Sequence, residues 1–368
     1  MTIADPFRKR IQRLQQQMLE DDVSLAAIAP TANMRYLLGF APLMDERLCA
    51  LLVSPAGTKF VVPHLNADQT EEHTGMETIR WRDDEGVEQV LARALQVLAP
   101  GTAPVLAADD TMRADHLILL QEMLAPSRSL PASKLIGPLR LCKSDEEIER
   151  LVRSAALADE AMLAGVDACR PGVTERDVGE AVAHRFRQGG ASQVDFVIIA
   201  SGPNGAFPHH ETGNRQLQEE DTIILDVGAT LNGYKSDITR VVQLGDPPQE
   251  VAAAYEAVRE ANRRGREAVR AGVTANDVDR AARQHLEEAG YGDFFVHRTG
   301  HGLGLEMHEP PWIMAGNETT LQPGMVFSIE PGVYLQGKFG IRVEDIVVVT
   351  DDGCSVLSSL SRELITKA

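Results

Sequence analysis

The sequence predicts an α/β amino-terminal domain over 1–137, followed by a larger α+β domain over 138–368 that is built from two similar halves. Three observations lead to this prediction. Strand-like and helical segments alternate through the first domain, as they do in α/β layers. A nine-residue motif occurs twice in the second domain. After each copy of the motif come apolar, strand-like runs that carry carboxylates.

The amino-terminal domain is predicted from its short alternating segments. A helix is expected at about 6–21, followed by apolar runs typical of strands at 25–29, 48–53, 59–62 and 104–107. Further helices are expected near 87–98 and 114–124. The stretch 131–138 contains Pro131, Gly137 and Pro138 and is expected to be a loop that links the two domains.

The second domain opens with a helix start and then contains the repeat. Ser144 is followed three residues later by Glu147, the spacing of a capping box. Segment 170–178 returns as 270–278 with six of nine positions identical. In each copy a Gly-Val-Thr unit predicts a helix end, a turn and a new helix N-cap. The repeat therefore predicts two similar α+β halves that face each other.

Carboxylates end the strand-like runs in both halves. Asp226 follows the run 222–225, and Asp237 comes eleven residues later across Asn232-Gly233, a hairpin signal that would bring the two side chains together. Glu330 and Glu344 take similar places in the second half. The alternative is a set of ordinary exposed acids. Four carboxylates among apolar residues are costly unless a cation lies between them.

A glycine-rich segment adds one imidazole to this set. His301 lies within 300–304, whose glycines permit close backbone approach. If His301 and the four carboxylates converge, they make a site for two divalent cations, and such a site is normally hydrolytic. The share of carboxylate ligands favours Mn²⁺, with Co²⁺, Zn²⁺ and Fe²⁺ as alternatives.

Other polar side chains are expected near this site. His209, His297 and His308 could donate a hydrogen bond to a carbonyl that becomes an oxyanion. Arg342 lies two residues before Glu344 and is expected to clamp a ligand carboxylate and to take part in substrate binding. A single histidine is more often structural, but five of the ten histidines fall in this region, at 209, 210, 297, 301 and 308. His210 is expected to be structural.

Composition excludes several classes of protein. The net charge of −18 argues against nucleic-acid binding. Apolar runs are too short to predict a membrane span, and the start of the chain does not resemble a signal peptide. The four cysteines form no CxxC pair, which favours a reducing compartment and predicts a cytoplasmic protein.

With these motifs the chain resembles the pita-bread metallopeptidase family, which includes Xaa-Pro aminopeptidases, Xaa-Pro dipeptidases (prolidases) and the related creatinases. The similarity covers nearly all of the chain and includes segment 33–40. It implies a creatinase-like amino-terminal domain and a pita-bread catalytic domain with a pseudo-twofold repeat. It also implies a homodimer.

The resemblance also implies roles for individual residues. The two metal ions would be bound by Asp226, Asp237, His301, Glu330 and Glu344. His209 and His308 would contact the scissile carbonyl, and His297 would line the substrate pocket. Glu330 would also pass a proton to the leaving nitrogen.

The expected substrate is a small peptide with proline at its second position. The short chain favours a dipeptidase, which needs a cation for the free carboxylate of proline. Arg298 and Arg47 are the candidates, and Asp45 could then face the substrate amine. The alternatives are an aminopeptidase acting on longer peptides, a hydrolase of a small amide or osmolyte on the same scaffold, and a non-catalytic binding protein.

Overall fold

The computed structural model describes residues 4–99, 101 and 103–367. The chain divides into two compact units, Met1–Arg140 and Leu141–Ala368. Among the described residues, no helix is both long enough and apolar enough to cross a lipid bilayer.

In the part of the amino-terminal unit that the structure describes, the strands form one mixed sheet, which is accompanied by helices. Its helices are α1 (Asp5–Glu20), α2 (Ala32–Leu38), α3 (His64–Thr74), α4 (Glu88–Leu98), α5 (Ala114–Leu124) and α6 (Ser133–Leu141). Its strands are β1 (Leu25–Ile28), β2 (Ala50–Ser54), β3 (Gly57–Pro63), β4 (Thr78–Trp81), β5 (Val105–Ala108) and β6 (Arg128–Pro131). The strand order is β4-β3-β2-β1-β5-β6, and only the β1–β2 and β2–β3 pairs are antiparallel. The α/β prediction for this half is confirmed.

The prediction of a linker loop over 131–138 is wrong, because helix α6 begins at Ser133 and continues through Pro138. Leu135, Ile136 and Leu139 are buried along this helix. Both the backbone N–H and the hydroxyl of Ser133 donate to the Asp110 carboxylate, at 2.9 and 2.6 Å. Burial of three aliphatic side chains therefore outweighs the low helix propensity that glycine and proline confer.

Over its described residues, the carboxy-terminal unit has two helical pairs and three small sheets. Its helices are α7 (Asp145–Ala168), α8 (Glu175–Gln188), α9 (Gln249–Ala268) and α10 (Ala275–Glu288). Its strands are β7 (Gln193–Ser201), β8 (Thr222–Leu231), β9 (Tyr234–Lys235), β10 (Ile238–Leu244), β11 (Gly300–Gly302), β12 (Glu309–Ile313), β13 (Val326–Ile329), β14 (Gly332–Leu335), β15 (Phe339–Arg342), β16 (Asp345–Val349), β17 (Cys354–Val356) and β18 (Ile365–Lys367). The sheet orders are β18-β10-β8-β7, with β9 on β8, then β12-β11-β13-β16-β17, and β14-β15.

The repeated motif builds the same local structure twice. Thr174 and Thr274 are the N-caps of α8 and α10, each in a reciprocal capping box with an aspartate three residues later. The backbone repeats as well. The Leu217 N–H donates to Val173 at 2.8 Å, and the Leu321 N–H donates to Val273 at 2.8 Å. The predicted duplication is therefore confirmed at the level of individual hydrogen bonds.

The predicted hairpin at Asn232-Gly233 is also present. The φ angles of Asn232 and Gly233 are 52° and 85°, the left-handed pair that a two-residue hairpin turn requires. The turn joins β8 to β9, and the chain then continues into β10, which pairs antiparallel with β8. The short connection returns Asp237 to the neighbourhood of Asp226.

The paired caps lead to a stability prediction. Thr174→Ala and Thr274→Ala should each lower the free energy of unfolding of the carboxy-terminal unit by about 1 kcal/mol, because each removes a side-chain acceptor for a helix N-terminal N–H. Urea unfolding in a Trp81→Phe background measures this, since Trp312 then reports on the carboxy-terminal unit. Thr174→Ser and Thr274→Ser keep the hydroxyl and should restore most of the loss. Unequal losses would contradict the equivalence of the two helix starts.

Candidate metal centre

Strand alternation places the first pair of carboxylates on one face of their sheet. In β8, Leu225 and Val227 pack into the core beside α7 and α8. Asp226 lies between them and therefore points to the opposite face. It pairs across the sheet with Thr239 of β10, and Asp237, two residues before Thr239, shares that face. Both aspartates are 8% exposed.

The second pair of carboxylates is presented in the same way by the other half. Ile329, the last residue of β13, packs into the core that includes residues of α10. Glu330 follows directly and points away from that core. Val347 of β16 packs with Ile329, and Glu344, three residues earlier, lies on the opposite face of the strand. Each half of the unit thus contributes two carboxylates from the face that its own helices leave uncovered.

His301 enters between the pairs because its neighbours are glycines. A Cβ atom on Gly300 would lie 1.8 Å from the Ser328 carbonyl oxygen, and one on Gly302 would lie 2.2 Å from that of Pro310. The His301 Nδ1–H donates to the Gly302 carbonyl at 3.1 Å. Nε2 therefore faces the carboxylates, 3.3 Å from Glu330 Oε1 and 3.6 Å from Asp237 Oδ2.

The electrostatics of the cluster reflect crowded like charges. Burial, and then the charge of neighbouring carboxylates, raises the pKa values of Asp237 and Glu344 well above their ordinary range. Burial raises the pKa of Glu330 to about 7. Burial also lowers the pKa of His301 to about 3, so this imidazole is neutral and can act as a ligand.

The donor set fits a divalent cation. Within the described part of the chain, Asp226 Oδ1 and Glu344 Oε1 are buried and have no hydrogen-bond partner. Ligand atoms of Asp237, His301 and Glu344 all lie within 4.8 Å of one another. Buried carboxylate oxygens without a donor cost several kcal/mol unless a cation meets them. Carboxylates with one imidazole suit divalent cations of the first transition row.

Arg342 clamps the carboxylate cluster through Asp226, and not through Glu344, its neighbour in the sequence. One guanidinium nitrogen donates to Asp226 Oδ2. Another donates to the Tyr334 hydroxyl at 2.6 Å, and Nε donates to Thr239 Oγ1 at 3.3 Å. The Thr239 hydroxyl in turn donates to Glu344 Oε2 at 2.8 Å. Arg342 and Thr239 thus connect carboxylates from the two halves.

His297 has both ring nitrogens occupied within the protein. Nδ1–H donates to the Arg298 carbonyl at 2.7 Å, and Nε2 lies 2.9 Å from the Tyr334 hydroxyl. Burial lowers the pKa of His297 to about 4. A neutral ring that accepts from Tyr334 completes a chain that runs from Arg342 through Tyr334 to His297. The pocket role expected for His297 stays a prediction.

The remaining histidines and Arg298 lie around the cluster. The rings of His308 and His301 are 4.1 Å apart between centroids and meet edge to face at 82°. Burial lowers the pKa of His308, and the charges of Arg298 and His209 add to the effect. The Arg298 guanidinium stacks 4.4 Å from the centroid of Trp312. The structure therefore brings His209 and Arg298 within electrostatic reach of His308, and the catalytic or binding roles of these three residues stay predictions.

Arg47 and Asp45 belong to the amino-terminal unit. Arg47 Nε donates to Asp83 Oδ1 at 2.9 Å, and its NH1 lies 3.3 Å from Asp45 Oδ2. Arg47 also contacts Glu46 at 2.7 Å. The guanidinium is thus held among acidic side chains, and the substrate roles expected for Arg47 and Asp45 stay predictions.

Several residues that hydrogen-bond to the carboxylate cluster or to Arg342 were not predicted from the sequence. Thr239 could have been found, because it lies two residues after Asp237 on a strand and so shares its face. Ser328 has the same relation to Glu330, and its hydroxyl donates to Glu330 Oε1 at 2.9 Å. Tyr334 carries no such signal, since only the return of β14 and β15 brings it to Arg342.

Comparison with known proteins identifies the family. Residues 149–351 match metallopeptidase family M24. The chain belongs to this family. Residues 10–142 match the creatinase/prolidase N-terminal domain. The fold expected from the resemblance, a creatinase-like domain before a pita-bread catalytic domain, is therefore confirmed for this M24 protein.

Named relatives of this M24 protein align over nearly its whole length. The probable dipeptidase PepE of Mycobacterium tuberculosis is 40% identical over 353 residues, which cover 94% of this chain and 92% of that protein. The Xaa-Pro dipeptidase of Pyrococcus furiosus is 32% identical over 360 residues, with 98% and 100% covered. A solved structure of recombinant prolidase from Thermococcus sibiricus has a TM-score of 0.94 at 36% identity, with 99% and 100% covered.

The raised carboxylate pKa values predict how metal stabilises the M24 protein. Where the folded pKa exceeds the unfolded one, as for Glu330 at about 7 against 4.5, the metal-free fold loses stability as pH rises between those values. Mn²⁺ should therefore raise the melting temperature of chelator-treated protein more at about pH 8 than at about pH 5. A gain of about 2.7 kcal/mol is expected at a hundredfold excess over the dissociation constant. Differential scanning calorimetry measures the melting temperature at each pH and the gain in stability on adding Mn²⁺.

Asp237→Asn provides the matched test of charge repulsion. Without metal at about pH 8, this variant should be more stable than the wild type, because one of the crowded charges is gone. It should also gain less from Mn²⁺. Asp246→Asn, which changes an exposed aspartate of the same unit, should leave both quantities unchanged. A metal-free Asp237→Asn protein that melts below the metal-free wild type would contradict this account.

Proposed function

We propose that this protein hydrolyses the peptide bond before proline in Xaa-Pro dipeptides and that it uses two divalent cations. The observation that carries the proposal is the convergence of four carboxylates and one neutral imidazole, with two buried carboxylate oxygens that lack a donor among the described residues. Membership of a metallopeptidase family supports the reaction class. Relatives named Xaa-Pro dipeptidase and prolidase support the substrate.

The cations would be held by the five converging side chains, with Mn²⁺ as the proposed metal because hard carboxylate oxygens predominate. These ligands are Asp226, Asp237, His301, Glu330 and Glu344. Bound cations would supply Lewis acidity toward the carbonyl and a lowered pKa for water near neutral pH. Arg342, through its bond to Asp226, would keep one ligand oxygen occupied and leave the other for metal.

The chain's own residues would handle the remaining charge and protons. His209 and His308 would donate hydrogen bonds to the substrate carbonyl oxygen as it gains negative charge. Glu330 lies at the edge of the cluster, 15% exposed in its side chain, where it could pass a proton to the leaving nitrogen of proline. His297 and Tyr334 would fix the orientation of Arg342 rather than react.

Recognition of the free proline carboxylate is assigned to Arg298. Its guanidinium carbon lies over the Trp312 ring, 4.4 Å from the centroid, and its charge contributes to the lowered pKa values of His301 and His308. A cation so near the cluster can bind a carboxylate that lies one residue beyond the scissile bond. Arg47, with Asp45 facing the substrate amine, is the alternative.

Assembly and location complete the proposal. A homodimer is proposed from the family resemblance and would appear as twice the chain mass in analytical ultracentrifugation. The proposed location is the cytoplasm. Its support is that Cys49, Cys169 and Cys354 are free thiols, as is usual in a reducing compartment.

The activity prediction uses three peptides and one metal. Chelator-treated protein should cleave Ala-Pro and Gly-Pro after Mn²⁺ is added, and should cleave Ala-Pro-Ala more slowly, with proline release measured by chromatography. His209→Ala and His308→Ala should each lower kcat about 10²-fold, because each removes a donor to the developing oxyanion.

The same assay distinguishes the alternatives. Faster cleavage of Ala-Pro-Ala than of Ala-Pro would favour an aminopeptidase. A protein that binds Mn²⁺ but leaves all three peptides intact would favour a hydrolase of another small amide. A protein that takes up no metal would favour a binding function.

The carboxylate-binding residue can be tested by comparing dipeptide with tripeptide. Arg298→Ala should lower kcat/KM for Ala-Pro about tenfold or more relative to Ala-Pro-Ala, because a charge-assisted hydrogen bond contributes about 1.5–3 kcal/mol. Arg298→Lys should recover part of the loss. If Arg47→Ala shows the selective loss instead, the carboxylate is bound by Arg47. If a variant loses the same activity on both peptides, the residue changed in that variant does not bind the proline carboxylate.

A further inference from the structure

A second buried carboxylate site lies outside the metal cluster, at the first residue of helix α8. Glu175 is 0% exposed. Its Oε1 accepts from the Ser201 N–H at 2.9 Å, the Ser201 hydroxyl at 2.6 Å and Asn204 Nδ2 at 2.9 Å. Its Oε2 meets His210 Nε2 at 2.9 Å and the Gly213 N–H at 3.2 Å. One carboxylate thus accepts from both ends of the segment 201–213.

The duplicated half shows that this carboxylate is not needed to begin the helix. Ala275 occupies the position of Glu175 in the second copy of the motif. Both helices nevertheless begin with the same threonine capping box, at Thr174 and Thr274. The backbone contacts match as well, since the Glu175 N–H donates to Arg215 at 3.0 Å and the Ala275 N–H donates to Thr319 at 3.0 Å. The carboxylate therefore serves something other than the helix start.

Glu175 holds the segment 201–213, which contains His209. This segment leaves β7 as a short 3-10 helix, Gly202–Ala206, and reaches His209, which is exposed. The charge of His209 helps to lower the pKa values of His297 and His308. The bonds to Glu175 come from residues on both sides of His209, including its neighbour His210, so they fix the chain before and directly after His209.

The physical chemistry of Glu175 suits a permanent clamp. Burial raises its pKa, but the hydrogen bonds from Ser201, Asn204 and His210 outweigh this effect and leave the pKa below its ordinary value. The carboxylate therefore stays ionised and accepts charge-assisted bonds, which are stronger than neutral ones. Loss of the carboxylate would leave buried donors without an acceptor, which destabilises the segment that they hold.

We propose that Glu175 is a positioning residue for His209: it clamps both ends of the 201–213 loop and holds the imidazole beside His308 at the metal centre. Its kinetic consequence rests on the proposed function, in which His209 donates to the substrate carbonyl. Its structural consequence, an ordered loop, does not depend on any substrate.

Hydrogen–deuterium exchange tests the structural part. Glu175→Ala introduces the residue that the second half carries, and it should speed exchange in peptides covering 198–206 and 207–214. Thr174→Ala is the matched control, because it weakens the same helix start without touching the clamp, and it should leave both peptides within about twofold of the wild type. Unchanged exchange in Glu175→Ala would overturn the proposal.

Glu175→Gln provides a graded second variant and carries the test if Glu175→Ala does not fold. The amide oxygen can replace Oε1 toward Ser201 and Asn204, while the amide NH₂ then faces the Gly213 N–H, a donor against a donor. Peptide 198–206 should therefore stay protected while peptide 207–214 exchanges faster. Full protection of both peptides would contradict the role of the second oxygen.

A double-mutant cycle tests the link to His209. On Ala-Pro with Mn²⁺, Glu175→Ala should lower kcat about tenfold to a hundredfold and change KM by less than about threefold, because a donor to the transition state is displaced. Combined with His209→Ala, it should cause no further loss beyond that of His209→Ala alone. Losses that multiply would show that Glu175 acts independently of His209 and would overturn the proposal.

Failure of the proposed function can be told apart from failure of this inference. If the wild-type protein cleaves none of the peptides, the function is wrong, and the exchange measurement alone decides whether Glu175 orders the loop. Mn²⁺ uptake, measured by calorimetry, should be unchanged in Glu175→Ala because the five proposed ligands are intact. Lost uptake would mean that the variant disturbs the metal centre itself, and the clamp on His209 would be rejected.

Discussion

The carboxylates of Asp226, Asp237, Glu330 and Glu344 repel one another. The carboxy-terminal unit nevertheless holds them together in a site from which water is largely excluded. Burial raises the pKa values of three of them. Arg342 offsets part of the charge at Asp226. Such an arrangement is stable only when cations or protons compensate the charge. Metal binding and folding of this unit are therefore linked, since a ligand that binds only the folded state stabilises it.

Duplication is the means by which the fold meets this constraint. Each half presents a pair of carboxylates from the face of its sheet that its own helices do not cover, because side chains alternate along a strand. The facing halves then combine two pairs into one cluster. The frame is symmetric, as the matched threonine caps and backbone bonds indicate. The site is not symmetric, because His301 and Arg342 come from the second half and His209 comes from the first.

The side chains around the cluster restrict its geometry. Thr239 and Ser328 each use one hydroxyl to accept from the protein and to donate to a carboxylate of the cluster. Tyr334 accepts from Arg342 and lies within hydrogen-bond distance of His297. Groups with two partners have few alternative rotamers, and that rigidity is what a ligand cluster requires. Glu175 does for the loop of His209 what these hydroxyls do for the carboxylates.

The parts of this molecule that sequence alone determined are those governed by local rules. The Asn232-Gly233 turn, the threonine caps and the period of two along β8 depend on a few adjacent residues, and they suffice to bring Asp226 beside Asp237. The second carboxylate pair, Glu330 and Glu344, was predicted from the similar strand-like runs of the second half. The alternating segments of the amino-terminal unit were predicted for the same reason.

Tertiary structure decided what depends on partners distant in the chain. Helix α6 forms through Pro138 because burial of its aliphatic side chains outweighs local propensity. Arg342 contacts Asp226 across 116 positions of the chain rather than its neighbour Glu344, and Glu175 finds its donors 26 to 38 positions away. No periodicity or turn signal encodes such contacts, since they exist only once separate strands and loops have packed together.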